Sequence, residues 1–501
     1  MSKKTRKLNR WITGGAGALV AAAAVNTGTC ATAPDPLLDA LIKKGILTES
    51  EAKDIQSEMN TNAAAMPAAK WKISDSIKSI GLFGDLRFRY EYRGADNNKA
   101  AGLTTGNDYY RERFRYALRF GIKGDLYDNF SYGVRLETSA NPRSPWVTFA
   151  DDTGKSAATG TPSDKSSDFL NVGQVFLNWH PDEYYEMTVG KMPMPLYTTP
   201  MIWDSDINPE GAFEKFKYSV GKFDLFADAG QFIYQDTNPD KQTPSSDTFL
   251  LAWQLGAVAK LNQDSSIKFA PTLYNYTGVG SGGGVNLRFV GQGNAAGANV
   301  GTGGFPGNAA FNENGINDLL IFDLPAEYNL KLGAYHLRGF GDFAYNIEGD
   351  QRARAAFAAG GGTAGSFPNL NGPATGNNIA YQVGIGFGNE GPVYGPTQGL
   401  VYGSTSKKNT WEARAYWQHV EQYALDVNLI DSDFLEGRGN LEGFYAAFAY
   451  SFTDAIIGTV RAGYGDRINK NLDTGGNNPD LPALNPIKNY RILQADLTWR
   501  F

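Results

Sequence analysis

Six arginines recur at alternate positions on three successive segments: Arg87 and Arg89 in GDLRFRYEYR, Arg113, Arg115 and Arg119 in RERFRYALRFG, and Arg135 in GVRLE. A period of two puts one parity on one face of a strand, so each segment presents a row of guanidinium groups. Guanidinium stays charged in all ordinary conditions and offers a rigid fork of donors, so such a row attracts and orients anions. Lys215 and Lys217 extend the same pattern. The competing reading is a solvated polar face that serves only solubility. A second charged group lies in KMPMPLYTTPMIWDSDINPEG, where Asp204, Asp206 and Glu210 follow Trp203 among four prolines. A connection with an aromatic anchor and several prolines is built to pack against something.

No catalytic constellation accompanies these charges. His180, His336 and His419 are far apart in sequence, and GxSxG, HExxH and spaced Cys clusters are missing. Gly278-Val-Gly280-Ser-Gly-Gly283 fits GxGxxG, but no strand-helix-strand unit surrounds it, and loop flexibility accounts for it better. Asp204-Ser-Asp206 and Asp431-Ser-Asp433 suit weak divalent-cation binding, with solvated acidic loops the better account. The expectation is of no enzyme, no cofactor and no metal.

The elements that carry the arginines are strands. From Gly81 onward the apolar period is two, and sixteen strands are predicted: 81–93, 111–126, 129–140, 170–179, 184–192, 212–220, 222–235, 249–262, 265–276, 318–331, 334–347, 378–389, 410–420, 440–453, 455–465 and 490–501. Short turns alternate with long polar connections at 94–110, 141–169, 193–211, 236–248, 277–317, 348–377, 421–439 and 466–489. That asymmetry, with an even strand count, is expected of a transmembrane β-barrel whose first and last strands pair. Residues 390–409 fall where a short turn belongs, as an insertion or a misplaced strand. With 26 Tyr, 29 Phe, 9 Trp and 59 Gly against 42% hydrophobic residues, the composition suits many strands with one polar face each. The same alternation serves a soluble sandwich; strand number and the export signal described next favour apolar residues outward and arginines in a water-filled interior, with no charge buried.

Residues 1–33 read as a secretory signal: MSKKTRKLNR is basic, WITGGAGALVAAAAV is apolar but too short to span, and small residues follow, with cleavage after Ala31 or Ala33. TGTC lacks the Leu that a lipid-anchored Cys30 needs. The segment carries five of the 46 basic residues and no acid, so its removal leaves 41 against 52 acidic residues, a net charge of −11. An acidic chain without a basic face excludes nucleic acid as a partner. The single Cys30 goes with the signal, leaving no disulfide. Residues 34–70 carry two short helices: Asp35 and Pro36 open the first, Gly45 ends it, and Thr48 to Glu51 form a capping box for the second. The organisation is therefore signal 1–33, periplasmic helical segment 34–70 and barrel 71–501.

The WDSDINPEG stretch, the signal, the LLDALIKKGILTESEAKDI helix pair and the aromatic last strand together resemble the putative-porin family of Gram-negative bacteria, over nearly the whole chain. In general porins of sixteen strands the connection between strands five and six folds inward. The resemblance implies a trimeric outer-membrane channel for passive diffusion of small hydrophilic solutes and ions. It also implies that the loop near 193–211 carries Trp203, Asp204, Asp206 and Glu210 into the lumen opposite Arg87, Arg89, Arg113, Arg115, Arg119 and Arg135, making a transverse field. The competing account has these acids capping the turn or holding arginines structurally. Neither a solute nor a net selectivity is implied. The chain ends ILQADLTWRF, with Trp499 and Phe501 on the apolar parity, which resembles the signal read by the barrel-assembly machinery. The expected partners are outer-membrane lipid, that machinery, two further copies of the chain and small hydrophilic solutes. The alternative is an outer-membrane barrel enzyme of lipase or protease type, which needs Ser, His and an acid on converging strands. Energy-coupled uptake needs a plug domain, for which residues 34–80 are too few.

Overall fold

The computed structural model describes residues 76–96, 108–139, 144–149, 170–236, 247–278, 315–359, 372–389, 407–472, 474 and 487–501 of a unit spanning Asp75–Phe501. Of an N-terminal unit, Met1–Ser74, it describes residues 44, 48, 50 and 74, so the expected signal and helix pair lie outside the described residues.

The period-two segments form sixteen wall strands: β1 (Gly81–Asp96), β2 (Asp108–Asp125), β3 (Phe130–Thr138, with Val147–Thr148 continuing its row), β4 (Leu170–Trp179), β5 (Tyr185–Lys191), β6 (Glu210–Val220), β7 (Phe223–Gln235), β8 (Thr248–Lys260), β9 (Ser265–Phe269 and Thr272–Gly278), β10 (Leu320–Asp323 and Ala326–Leu332), β11 (Tyr335–Asn346), β12 (Ile379–Gly388), β13 (Trp411–Val420), β14 (Leu441–Ser451), β15 (Ile456–Arg467) and β16 (Asn489–Arg500). All neighbours are antiparallel, and β16 pairs with β1 from Asp85↔Arg500 to Asp96↔Asn489, which closes the sheet. Closure leaves no unpaired edge, as hydrocarbon requires. The last residue is tied in by Gly84 N–H to the Phe501 carbonyl (3.0 Å) and Phe501 N–H to the Gly84 carbonyl (3.2 Å).

Local chemistry explains the irregularities. Asp128 and Asn129 both have positive φ, the two-residue hairpin geometry that matches strand twist, and they join β2 to β3. β9 and β10 are interrupted at Pro271, opposite Leu324, and at Pro325, opposite Ala270; the register runs through from Phe269↔Ala326 to Thr272↔Asp323, because proline removes a donor without inserting a residue. β12 and β13 pair from Ala380↔Val420 to Gly388↔Glu412, so residues 390–409 are an insertion at the short-turn end and no strand is displaced. Residues 390–406 of it lie outside the described residues.

The outer face is apolar and the inner face charged. Phe88 is 45% exposed while its neighbour Arg89 is 3% exposed, and Trp499 is 47% exposed while Gln494, Asp496 and Thr498 are buried. That is the inverse of a soluble sandwich and the arrangement of a wall between lipid and lumen. The interior departs from expectation in one respect. The arginines are not in open water: Arg89, Arg93, Arg113, Arg115 and Arg119 are all buried, beneath segments that fold in from the long-connection end.

Candidate functional site

The β5–β6 connection, residues 192–209, enters the barrel. Gly190 and Gly211 face each other where it leaves the wall, both with positive φ, and a Cβ at either would overlap the carbonyl of the adjoining strand, of Val175 and Gln231 respectively. Met192 N–H donates to the Pro209 carbonyl (2.9 Å) and closes the root. Across the interior, Gln254 of β8 brackets Tyr197: its Oε1 accepts from Tyr197 N–H (3.0 Å) and its Nε2 donates to the Tyr197 carbonyl (2.8 Å). Thr199 Oγ1 donates to Asp342 of β11, Gln174 of β4 donates to Asn208 (2.8 Å), and Arg119 of β2 pairs with Asp206. The loop thus touches strands on opposite sides of the barrel. Trp203 is buried, with Nε1 donating to the Ile207 carbonyl (2.9 Å), and packs in an apolar cluster with Met201, Ile202, Tyr274, Leu425 and Leu429.

A second segment, residues 421–440 between β13 and β14, folds inward and docks on the first. Asp204 N–H donates to the Leu429 carbonyl (2.6 Å), Asp431 N–H to the Pro200 carbonyl (3.0 Å), and Ser432 N–H and Oγ to Asp204 Oδ2 (3.3 Å each). Asp426 accepts from the Tyr234 hydroxyl (2.7 Å) and Asn428 N–H (3.0 Å). Leu435, Glu436 and Gly437 run consecutively through left-handed backbone. Such strain persists only where surroundings over-determine it, and here buried Glu436 accepts from Arg438 Nε (3.0 Å). Sequence reading treats 421–439 as an ordinary polar connection; Val427, Leu429 and Ile430, three large apolar residues within four positions, are the signal that distinguishes it.

Each expected wall arginine has a carboxylate partner. Arg87 Nε meets Asp85 (2.5 Å), Arg89 grips both Asp433 (Nη1, 2.7 Å) and Asp496 (Nε, 2.8 Å), and Arg113 Nε donates to Glu91 (2.6 Å). Arg115 lies 3.6 Å from Glu91, Arg119 pairs with Asp206, and Arg135 Nη2 meets Glu137 (2.8 Å). Arg93 and Arg461, not singled out from sequence, join through Glu91 (3.0 Å) and Asp496. Trp146, from the detour between the two parts of β3, covers the network: the Arg89 guanidinium carbon is 4.0 Å from its ring centroid, a contact worth about 0.5–2 kcal/mol. Of the loop acids, Asp204 caps its own turn by accepting from Asp206 N–H (2.9 Å), Asp206 binds Arg119, and Glu210 stands at the start of β6, 60% exposed in its side chain and 3.0 Å from Lys191. On the inward loops, burial and the neighbouring Asp433 push Asp431 up to about 7, whereas the Arg89 guanidinium holds Asp433 well below the usual carboxylate range.

The short-turn half of the interior stays open. A cavity of ≈ 870 Å³ lies between β7 and β13, lined by Lys260, Lys268, Glu327, Arg338, Glu412 and His336 among others. Lys268 Nζ sits 3.7 Å from the Tyr197 ring centroid, so the underside of the inward loop forms part of its environment. His180 and His419 lie apart from it, the latter with Nδ1 2.7 Å from Glu442. Beyond Gly278 the glycine-rich 278–283 run lies outside the described residues.

With this geometry in hand, residues 95–284 match the model of a family described as putative porin. The chain resembles the putative porins. It is a β-barrel of the bacterial outer membrane, and the family match with the closed wall supports a porin channel rather than an enzyme. Among solved structures, a triple mutant of the Rhodopseudomonas blastica porin is similar at 11% identity, covering 84% of this chain and 100% of its own, with a TM-score of 0.33. Outer-membrane expressed OmpT of Vibrio cholerae is similar at 10% identity, covering 86% and 99%, with a TM-score of 0.38. No curated protein matches the sequence.

Proposed function

We propose that this porin-like barrel is a passive diffusion channel for small hydrophilic solutes and ions, narrowed where residues 192–209 cross the lumen against the arginine wall. The observation that carries the reading is the loop itself: one connection bonds to β2, β4, β8 and β11, which only a segment lying across the bore reaches. Residues 421–440 brace it, and solutes pass beside the braced pair and through the cavity at the short-turn end. Rate then follows bore and wall charge, with no energy spent. Residues 1–33 are removed on export, and three copies assemble.

Purified protein in planar bilayers is expected to give stepwise conductance, in multiples of three for inserted trimers; no steps across several salts and voltages would overturn the channel reading. Replacing Arg87, Arg113 and Arg115 by Gln removes three positive charges from the wall, two of them from beside Glu91. The reversal potential in a salt gradient then moves toward cation preference, and an unchanged potential places the wall outside the conduction path. Trp499 and Phe501 serve assembly: their rings lie 5.1 Å apart, tilted against each other at the seam, and removing Phe501 lowers insertion while inserted barrels keep their conductance. Full insertion without Phe501 contradicts that role.

A further inference from the structure

Above the open cavity, on the inner faces of β9 to β12, two carboxylates lie together with no basic partner. Asp323 stands opposite Ala344, so Asp342 is its diagonal neighbour on the same face; Thr272 is directly opposite Asp323 on the other side, and Tyr274 is diagonal to it. Gln382 is directly opposite Asp342. All are buried, Asp323 at 0% and Tyr274 at 3% exposure. Neither Asp323 nor Asp342 forms an ion pair among the described residues; Asp342 accepts from Thr199 Oγ1, and the two carboxyl groups lie within hydrogen-bond reach of each other.

The atoms around them are oxygens that lack partners. Both Oδ atoms of Asp323, Oδ1 of Asp342, the Tyr274 hydroxyl, Thr198 Oγ1 and Gln382 Oε1 are buried without a hydrogen bond among the described residues. Two adjacent buried carboxylates cannot both be charged without a counter-charge, and orphaned buried oxygens each cost free energy. A single ion answers both demands. The donors are all oxygen, with no thiolate or imidazole, which is the ligand set of a hard cation.

We propose that this cluster binds one hard divalent cation of the Ca2+ type, held by Asp323 and Asp342 with Tyr274, Thr198 and Gln382 completing the shell. The site joins the wall to the inward loop, because Thr198 and Thr199 belong to residues 192–209. Its cation neutralises the two carboxylates and pins the loop over β9 to β11. The proposal concerns the occupancy of these oxygens and stands whether or not the barrel conducts.

The test uses the full-length barrel in detergent, stripped with a chelator and titrated with Tb3+, whose emission a coordinating tyrosine sensitises. Wild type is expected to give saturable emission excited through tyrosine, displaced by Ca2+. Asp323→Asn with Asp342→Asn keeps the volume and removes the charge, and emission falls at least about tenfold, as for loss of both anionic ligands. Tyr274→Phe removes one neutral ligand, so Ca2+ uptake, measured as metal per chain after gel filtration, weakens less than in the double variant while the sensitised emission falls. Heat-modifiable mobility in gels confirms that each variant is folded. Equal Tb3+ and Ca2+ uptake by wild type and the double variant would overturn the proposal. So would no uptake by wild type together with an infrared carbonyl band of a protonated carboxyl that the double variant loses, since a shared proton would then fill the role.

Discussion

One barrel contains two interiors. From β15 round through β16 and β1 to β3 the inner face carries an ion-pair network, in which Arg89, Arg93, Arg113 and Arg461 interlock with Glu91, Asp433 and Asp496. From β6 to β13, at the long-connection end, the same parity of positions carries Phe232, Tyr234, Leu250, Tyr276 and Val420, and these pack on Trp203, Leu425 and Leu429 of the inward segments. The halves meet at 429–433, where Leu429 joins the apolar cluster and Asp433 joins Arg89. The difference teaches that an inward strand position is not a statement about water. Whether it meets solvent, a charge or an apolar cluster depends on which loop lies over it.

The two halves should fail differently. Trp203→Ala is expected to have the largest effect, since it empties the centre of the apolar half: about 3–5 kcal/mol for a buried tryptophan. Proteolysis within 192–209 and noisier, larger conductance steps are the readouts; unchanged conductance and protection would mean the loop holds without its core. On the charged side, Arg89→Ala removes the guanidinium that joins Asp433 to Asp496, a loss of about 3–5 kcal/mol for a broken buried pair. Combining Arg89→Met with Asp496→Leu and Asp433→Leu should restore much of the thermal stability. If the triple replacement is worse than the single one, the network is worth more than its members.

A smaller effect follows from pH at the junction. Asp431 has a folded value raised above that of the unfolded chain, so its contribution opposes folding progressively as pH rises from about 4 through about 7. Asp433, held low by Arg89, adds stability above the unfolded carboxylate value and loses it in acid. The inward pair should therefore be firmest in mildly acidic solution, and Asp431→Asn should flatten the rise in channel noise between pH 5 and 8. The same rise in that variant would show that another group titrates. Glu210→Gln is the smallest: an exposed pair with Lys191 is worth about 0–1 kcal/mol, and a large change in conductance would place Glu210 in the constriction itself.

Much of the wall was legible because a strand's face is set by parity alone. GDLRFRYEYR could be read as Phe88 outward and Arg89 inward without knowing what Arg89 touches, and the pairing of β1 with β16 followed from the need to close an edge. The inward course of 192–209 was legible in its prolines and Trp203. That of 421–440 was not, since the segment has no proline or tryptophan and its apolar Val427, Leu429 and Ile430 are interrupted by Asn428. The sequence reading put the arginines in a water-filled interior; their burial was not legible, because the bond between Arg89 and Asp433 joins residues 344 positions apart.

By itself, then, the sequence determined which side of every strand meets lipid, how many strands there are and where the wall closes, since those depend on periods of two and on the cost of an unpaired edge. Only the tertiary structure decided what fills the bore. Loop paths are set by long-range contacts between side chains distant in sequence, and no local period encodes them.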